Sequence, residues 1–128
     1  MPIMQLYITL PARRVPQDFP QKITVVLSQV IANTPPNAMN IHVMTDQNFY
    51  TGNDPERTKH SGYAMLYAMA TGSPDDNRRI ITALYALVKQ ELGIDQKHFF
   101  VLINDVDPNM CGYKGKLLAD MLKSIVVD

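Results

Sequence analysis

The chain has 128 residues, enough for one domain with a sizeable buried core. Its twelve basic and twelve acidic residues cancel, which argues against binding nucleic acid or an acidic membrane surface through a basic patch. The single cysteine, Cys111, excludes an internal disulfide, and no apolar run approaches the roughly 18 residues that span a bilayer. We expect one domain over residues 1–128 in the cytoplasm. The N-terminus lacks signal-peptide features, so secretion would need another route.

The first predicted strand is preceded by a proline at position 2. Met1-Pro2 leads directly into the apolar stretch Ile3–Leu10. Removal of Met1 would leave a secondary amine at the head of this strand, and an amine in an apolar pocket loses its proton more readily. Such an amine acts as a general base near neutral pH. Pro2 is therefore the first candidate catalytic residue.

A turn that contains Arg13 separates this strand from the first predicted helix. Asp18, with Gln21 three residues later, predicts an N-cap and a capping box. The segment 33–36, Asn-Thr-Pro-Pro, ends the helix. The apolar stripe of the helix consists of Phe19, Ile23, Val26, Leu27, Val30 and Ile31. Alternating apolar and polar residues over 39–44 then predict a second strand.

The second half repeats this order of elements after a polar loop over residues 45–62. The apolar run at 63–71 predicts a third strand. Ser73 as N-cap predicts the start of a second helix, and Gly93 predicts its end. A fourth strand is predicted over 98–104.

Two successive strand–helix–strand units predict a duplicated α+β fold, with one mixed four-stranded sheet and two helices on one face. The runs at 63–71 and 99–103 have no polar alternation, which is typical of strands buried on both faces. Two helices cover only one face, so we expect another copy of the chain to cover the other. The tail over 113–128 predicts either a short docking helix or an edge strand that reaches a neighbouring subunit.

In this order, the segments resemble the tautomerase superfamily, in particular the family of macrophage migration inhibitory factor and D-dopachrome tautomerase. The resemblance runs from Pro2 to about Asp120. The segments that carry it are Pro2–Ile8, Leu10–Pro16, Pro35–Pro36 with 41–43, 76–78, 89–92 and Gly112–Tyr113. It implies a homotrimer whose three sheets form a barrel, with a pocket at each subunit interface around the N-terminal proline.

The resemblance also implies a reaction, the movement of a proton between carbon and oxygen in small aromatic α-keto acids. This keto–enol tautomerisation needs a base with a near-neutral pKa, a donor for the enolate oxygen and a cation for the carboxylate. Pro2 matches the base. No cofactor is implied, and no histidine has a metal-ligand neighbour at a useful spacing, so no metal site is predicted.

Several positions that match the family's pocket carry a different side chain. The substrate-binding candidates are Thr34, Thr71, Phe100, Leu102, Tyr113 and Arg13. Thr34 stands where the family has its pocket lysine and cannot supply a cation. Arg13 is then either the substitute cation or a solvated charge in a turn.

The remaining candidates imply a more apolar pocket than that of the family. Phe100 and Leu102 stand where the family uses a tyrosine and an asparagine from the neighbouring subunit. Thr71 matches a residue that contributes its backbone amide, so the change of side chain matters little there. Tyr113 stands where the family has an aromatic or basic residue near the end.

Two functions stay open on these grounds. The first is a MIF-like tautomerase for phenylpyruvate- or dopachrome-type substrates, with Pro2 as general base. The second is a secreted, cytokine-like homologue with weak or absent tautomerase activity that binds a cell-surface receptor. A duplicated RNA-recognition module is disfavoured by the zero net charge and by the lack of a basic, aromatic strand.

Overall fold

The structure is a computed structural model that describes residues 2–69 and 72–127, with the backbone alone for 124–127. Two strand–helix–strand units form one four-stranded sheet. Their elements are β1 (Ile3–Ile8), α1 (Phe19–Val30) and β2 (Asn40–Met44), then β3 (Gly62–Ala68), α2 (Pro74–Leu92) and β4 (Phe99–Asp105). The α+β duplication predicted from the sequence is confirmed.

The sheet is mixed because its two halves meet through an antiparallel pair. The strand order is β2-β1-β3-β4, with β1 parallel to β2 and β3 parallel to β4. In the central antiparallel pair, Ile3 lies opposite Tyr67 and Ile8 lies opposite Gly62. Each helix connects the two parallel strands of its own unit.

Both helices pack on the same face of the sheet. Alternate residues of the central strands point to this face, since side chains of a strand alternate between faces. Each unit contributes to one core cluster, which includes Met4, Leu6, Ile8, Phe19, Ile23, Leu27, Ala64, Leu66, Ala68, Ile80, Leu84 and Phe99. The prediction of two helices on one face is therefore confirmed.

The other side of the sheet, which we call the open face, has no helix on it. It is formed by Ile3, Gln5, Tyr7, His42, Met44, Tyr63, Met65, Tyr67, Phe100, Leu102 and Asn104. Phe100 and Leu102 are 55% and 51% exposed, so β4 is not buried on both faces within a single chain. The cover that the sequence analysis attributed to another copy is absent from the chain itself.

The ends of the two helices show which local predictions were right. α1 begins directly after Asp18, but the Asp18 side chain makes no capping hydrogen bond. It lies 3.5 Å from the Lys22 Nζ instead, so the predicted capping box with Gln21 is wrong. α2 follows Ser73 and ends at Gly93, whose φ of 69° is the left-handed conformation that favours glycine.

The tail contains a short hairpin and a helix, and no strand that extends the four-stranded sheet among its described residues. A short hairpin of β5 (Gly112–Tyr113) and β6 (Lys116–Leu117) comes first. The helix α3 (Leu118–Val127) follows, with Leu118 buried at its start. The helical alternative is therefore correct from Leu118 onward.

Replacing Gly62 by alanine is expected to lower the free energy of unfolding by about 1–3 kcal/mol, the usual cost of overpacking. A Cβ atom at Gly62 would overlap the backbone carbonyl oxygen of Tyr7 in the neighbouring strand. Gly52→Ala is the control, because nothing lies within 4 Å of a Cβ atom there. Urea unfolding compares the variants, and equal midpoints for both would contradict the close approach at Gly62.

Glu56, in the loop between β2 and β3, forms ion pairs with Lys59 in the same loop and with Lys97 just before β4. Its carboxylate lies 2.7 Å from Lys59 Nζ and 3.0 Å from Lys97 Nζ. The hydrogen bond from Lys59 is the largest cause and that from Lys97 the second largest of a shift that lowers the pKa of Glu56 from 4.5 to about 2. A depressed pKa in the folded state adds stability above the unfolded pKa, and this stability is lost as the pH falls toward the folded pKa.

We therefore expect Glu56→Gln to be less stable than the wild type at pH 7. The difference shrinks as the pH is lowered from 4.5 to about 2, because protonation of Glu56 removes the same interaction. Unfolding free energies measured across this pH range test it. Lys59→Met serves as a comparison, because it removes the largest cause of the shift. A pH-independent difference for Glu56→Gln would contradict the assignment.

Candidate functional site

Pro2 is buried at the head of β1, on the side of the sheet that carries the helices. Its carbonyl oxygen accepts a hydrogen bond from the Asn40 backbone N–H at 2.9 Å. This bond extends the parallel pairing of β1 and β2, in which Ile3 lies beside Asn40. The residue before it, Met1, lies outside the described residues. Pro2 thus precedes a strand whose inward-facing residues Met4, Leu6 and Ile8 belong to the core cluster.

Thr34 lies at the same end of the sheet as Pro2. It follows Asn33, whose φ is 56°, in the turn between α1 and the 3₁₀ turn Pro36–Ala38. The Thr34 hydroxyl donates a hydrogen bond to the Ala32 carbonyl oxygen at 3.0 Å. The position that the sequence analysis matched to a pocket lysine thus holds an uncharged side chain whose hydroxyl proton is already engaged.

A small cleft opens beside this turn. It has a volume of about 140 Å³. It lies between the end of α1, the end of β3 and the start of α2, and its lining residues are Val30, Ile31, Ala32, Asn33, Met69, Asp76, Arg79 and Ile80. Asp76 and Arg79 form an ion pair with each other. The cleft therefore combines an apolar wall with one cation and one anion.

Arg13 is remote from Pro2 within one chain. It lies in the 3₁₀ turn Ala12–Arg14 after β1, whereas Pro2 precedes this strand. Six residues of strand at 3.3 Å each separate the two by about 20 Å. Arg13 is exposed there, and its neighbour Arg14 reaches His60 Nε2 at 3.2 Å. The structure does not bring the predicted substitute cation to the predicted base.

Phe100 and Leu102 also do not meet Pro2 within one chain. Both lie on the open face, where they align with Tyr63 and Met65 of β3. Pro2 lies on the opposite, helix-covered side. Any contact between these side chains and a Pro2 amine therefore requires a second copy of the chain.

Two further candidates have different outcomes. Tyr113 is half-buried in the C-terminal hairpin, opposite Lys116. The Lys114 ammonium lies 5.4 Å from the centre of its ring. Thr71 lies outside the described residues, so its predicted backbone role stays a prediction.

Three polar residues near this end of the fold were not predicted from the sequence. Asp76 and Arg79 line the cleft, although their charged run reads locally as the solvated start of a helix. Asn104 aligns with Tyr67 on the open face, and its buried Nδ2 finds no hydrogen-bond partner among the described residues. Among these three residues, Asn104 is the one that the local sequence could have marked as a candidate, because it is a polar residue at the end of an apolar strand.

The described residues form neither a metal-binding cluster nor a membrane-spanning helix. Among residues 2–69 and 72–127, no group of three or more His, Cys, Asp or Glu side chains could hold a metal ion. In the same ranges, no helix has both the length and the apolar character needed to cross a bilayer.

The comparison with known families decides the relationship. A sequence model described as macrophage migration inhibitory factor (MIF) matches residues 1–119. The chain belongs to the MIF family. No curated protein matches the chain at a significant level. The match ends near the start of α3, so most of this helix lies beyond the part shared with the MIF family.

Solved structures show the same fold. The macrophage migration inhibitory factor of Trichinella spiralis aligns with a TM-score of 0.80 and 21% identity, over 89% of this chain and 97% of that chain. That of Oncomelania hupensis aligns with a TM-score of 0.82 and 15% identity, over 99% and 94%. The F6 fused 4-OT wild-type asymmetric trimer aligns with a TM-score of 0.75 and 16% identity, over 93% and 98%. These likenesses show that the sheet and its two helices have the MIF-like fold.

Proposed function

We propose that this MIF-family chain is a keto–enol tautomerase that uses the amine of Pro2 as its general base. The observation that carries the proposal is the burial of Pro2 at the head of β1 in a MIF-family fold. Removal of Met1 frees the nitrogen, and apolar surroundings lower the pKa of an amine because they disfavour its charged form. A neutral amine near pH 7 can take a proton from the carbon next to a carbonyl group.

The proposed active unit is a homotrimer whose open faces form a barrel. The half-exposed side chains of Phe100 and Leu102 support this, since a large apolar patch usually marks an interface. A solved relative of the fold is itself described as a trimer. The neighbouring subunit then supplies Phe100 and Leu102 to the pocket of Pro2.

The proposed substrate is a small aromatic α-keto acid of the phenylpyruvate or dopachrome type. Phe100 and Leu102 offer an apolar wall to an aromatic ring. Thr34, Thr71 and Tyr113 complete the proposed lining, and Arg13 joins it only if a neighbouring chain brings it to the pocket. The proposed chemistry requires no cofactor, because both proton transfers use the same amine.

Turnover of phenylpyruvate by the purified protein tests this proposal. Intact mass is measured on the same sample to establish that Met1 has been removed. We expect the enol signal to equilibrate faster in proportion to protein concentration. A processed sample that leaves the uncatalysed rate unchanged would refute the enzyme.

A second function is favoured by the replaced pocket residues. Thr34, Phe100 and Leu102 lack the polar groups that the related pockets use to hold a keto acid. A cytokine-like role, in which the protein is secreted and binds a cell-surface receptor, needs none of these groups. Saturable binding to intact cells, unchanged by Pro2→Gly, would favour this role over the enzyme, and robust turnover without cell binding would reject it.

A further inference from the structure

The small cleft beside the turn of Thr34 lies at the same end of the sheet as the proposed base. β1 and β3 run antiparallel with Ile3 opposite Tyr67. Continuing this register by one position sets Pro2 opposite Ala68, the last residue of β3. Met69 lines the cleft. Pro2, at the head of β1, therefore lies at the same end of the sheet as this cleft.

The size of the cleft suits one end of a ligand. Its volume of about 140 Å³ is smaller than the roughly 300–1,000 Å³ of sites that enclose a drug-sized molecule. A carboxylate with its adjacent carbonyl group fits such a space, and the aromatic end would extend toward the subunit interface. A carboxylate there requires a cation.

Arg79 is the cation that lines the cleft. Its Nη2 contacts the Asp76 Oδ1, and the two side chains are 61% and 44% exposed. An ion pair this exposed is worth little, so it rearranges at small cost. The guanidinium has five N–H donors, which leaves donors for a second carboxylate. Thr34, at the position of the family's lysine, offers no charge.

The adjacent arginine provides a natural contrast. Arg78 pairs with Asp75, and their side chains are 73% and 82% exposed. Arg78 does not line the cleft. Both arginines carry the same charged group and lie on α2, but only Arg79 lines the cleft.

We propose that Arg79 binds the carboxylate of the substrate at this site, so that a residue of α2 supplies the charge missing from the turn after α1. The proposal rests on the proposed tautomerase function for its substrate class. The ligand is a small monocarboxylate with an apolar end, since the rest of the cleft wall is largely apolar. A planar guanidinium can hold such a carboxylate through two parallel hydrogen bonds.

Direct binding of an unreactive acid tests the proposal without turnover. The probe is 3-phenylpropanoate, with 3-phenylpropanamide as its uncharged analogue, each titrated calorimetrically into the processed protein. We expect Arg79→Gln to weaken the binding of 3-phenylpropanoate by about 10–100-fold, which is the usual effect of losing a hydrogen bond to a charged group. Binding of the amide stays unchanged, Arg79→Lys restores part of the affinity, and Arg78→Gln behaves as the wild type.

The acidic neighbour gives a change of opposite sign. Asp76→Asn removes the anion that competes for Arg79, so we expect a few-fold tighter binding of the acid. Thermal unfolding of each variant establishes that the fold is intact. An acid affinity equal in the wild type and Arg79→Gln, or no acid binding at all by the wild type, would overturn the proposal.

The results also separate this proposal from the enzyme itself. Acid binding that depends on Arg79 without any phenylpyruvate turnover would support the carboxylate site and contradict the proposed tautomerase activity. Turnover that is unchanged in Arg79→Gln would support the tautomerase activity and contradict this role of Arg79.

Discussion

Blocking the Pro2 nitrogen is expected to lower kcat/KM for phenylpyruvate tautomerisation by about 10²–10⁴-fold, the usual contribution of a general base. Insertion of one alanine between Met1 and Pro2 does this, because the nitrogen becomes an amide while the proline ring remains. The lone pair of an amide is delocalised into its carbonyl group and accepts no proton near neutral pH. Kinetics on samples of known intact mass measure the effect.

A second variant distinguishes the effect of the amine from the effect of the proline ring. Pro2→Gly keeps an N-terminal amine but loses the rigid ring, so we expect an intermediate loss of activity. Pro55→Gly, in the exposed loop, is the control for removal of a proline. Wild-type kcat/KM should fall as the pH drops below the pKa of the amine, since only the neutral form acts as a base. Full activity of the alanine insertion would exclude Pro2 as the base.

Introducing a charge on the open face is expected to convert the proposed trimer into monomers. Leu102→Arg places a guanidinium at a position that is 51% exposed in one chain and buried in the proposed barrel. Burial of an unpaired charge costs several kcal/mol per ion, and a trimer would bury three. Light scattering coupled to size-exclusion chromatography measures the mass.

The control for this change is a comparably exposed apolar residue elsewhere. Val25 on α1 is 43% exposed and lies on a helix rather than on the open face. Val25→Arg should therefore leave the mass unchanged. Activity should fall together with the trimer in Leu102→Arg, because the neighbour's β4 would no longer line the pocket. An unchanged mass for Leu102→Arg would contradict the barrel.

Local sequence patterns were enough to predict the main elements of the fold. The apolar spacing of α1 places Phe19, Ile23 and Leu27 in the core, because a period of 3.6 residues puts them on one side of the helix. The end of α2 at Gly93 was also predictable, since a left-handed residue there favours glycine. The capping box predicted at Asp18 did not form, because its φ of −89° and ψ of 6° lie outside the extended region that N-cap residues usually adopt.

The strand boundaries were predicted less well for a physical reason. The apolar run at 63–71 predicted a longer strand than the observed β3, which ends at Ala68. Hydrophobicity does not report where pairing with a neighbouring strand stops. β3 is paired from Gly62 to Ala68, the stretch over which β4 lies beside it.

The candidate site divides in the same way. Pro2 was recognisable from its place before an apolar strand, whereas Arg79 was not, because its neighbours in sequence are also charged. Arg79 becomes a site residue only when the end of α1 and the start of α2 are brought together. Arg13 had the right chemistry but lies at the wrong end of β1.

The sequence by itself determined the α+β duplication, the apolar strands and the proline at the head of the first strand. These features are local, because periodicity and residue type act over a few neighbours. Only the tertiary structure decided which cation lies at the end of the sheet near Pro2 and which face stays open. Such placements depend on strand register and helix packing, which join residues as far apart as Asn33 and Arg79 in one cleft.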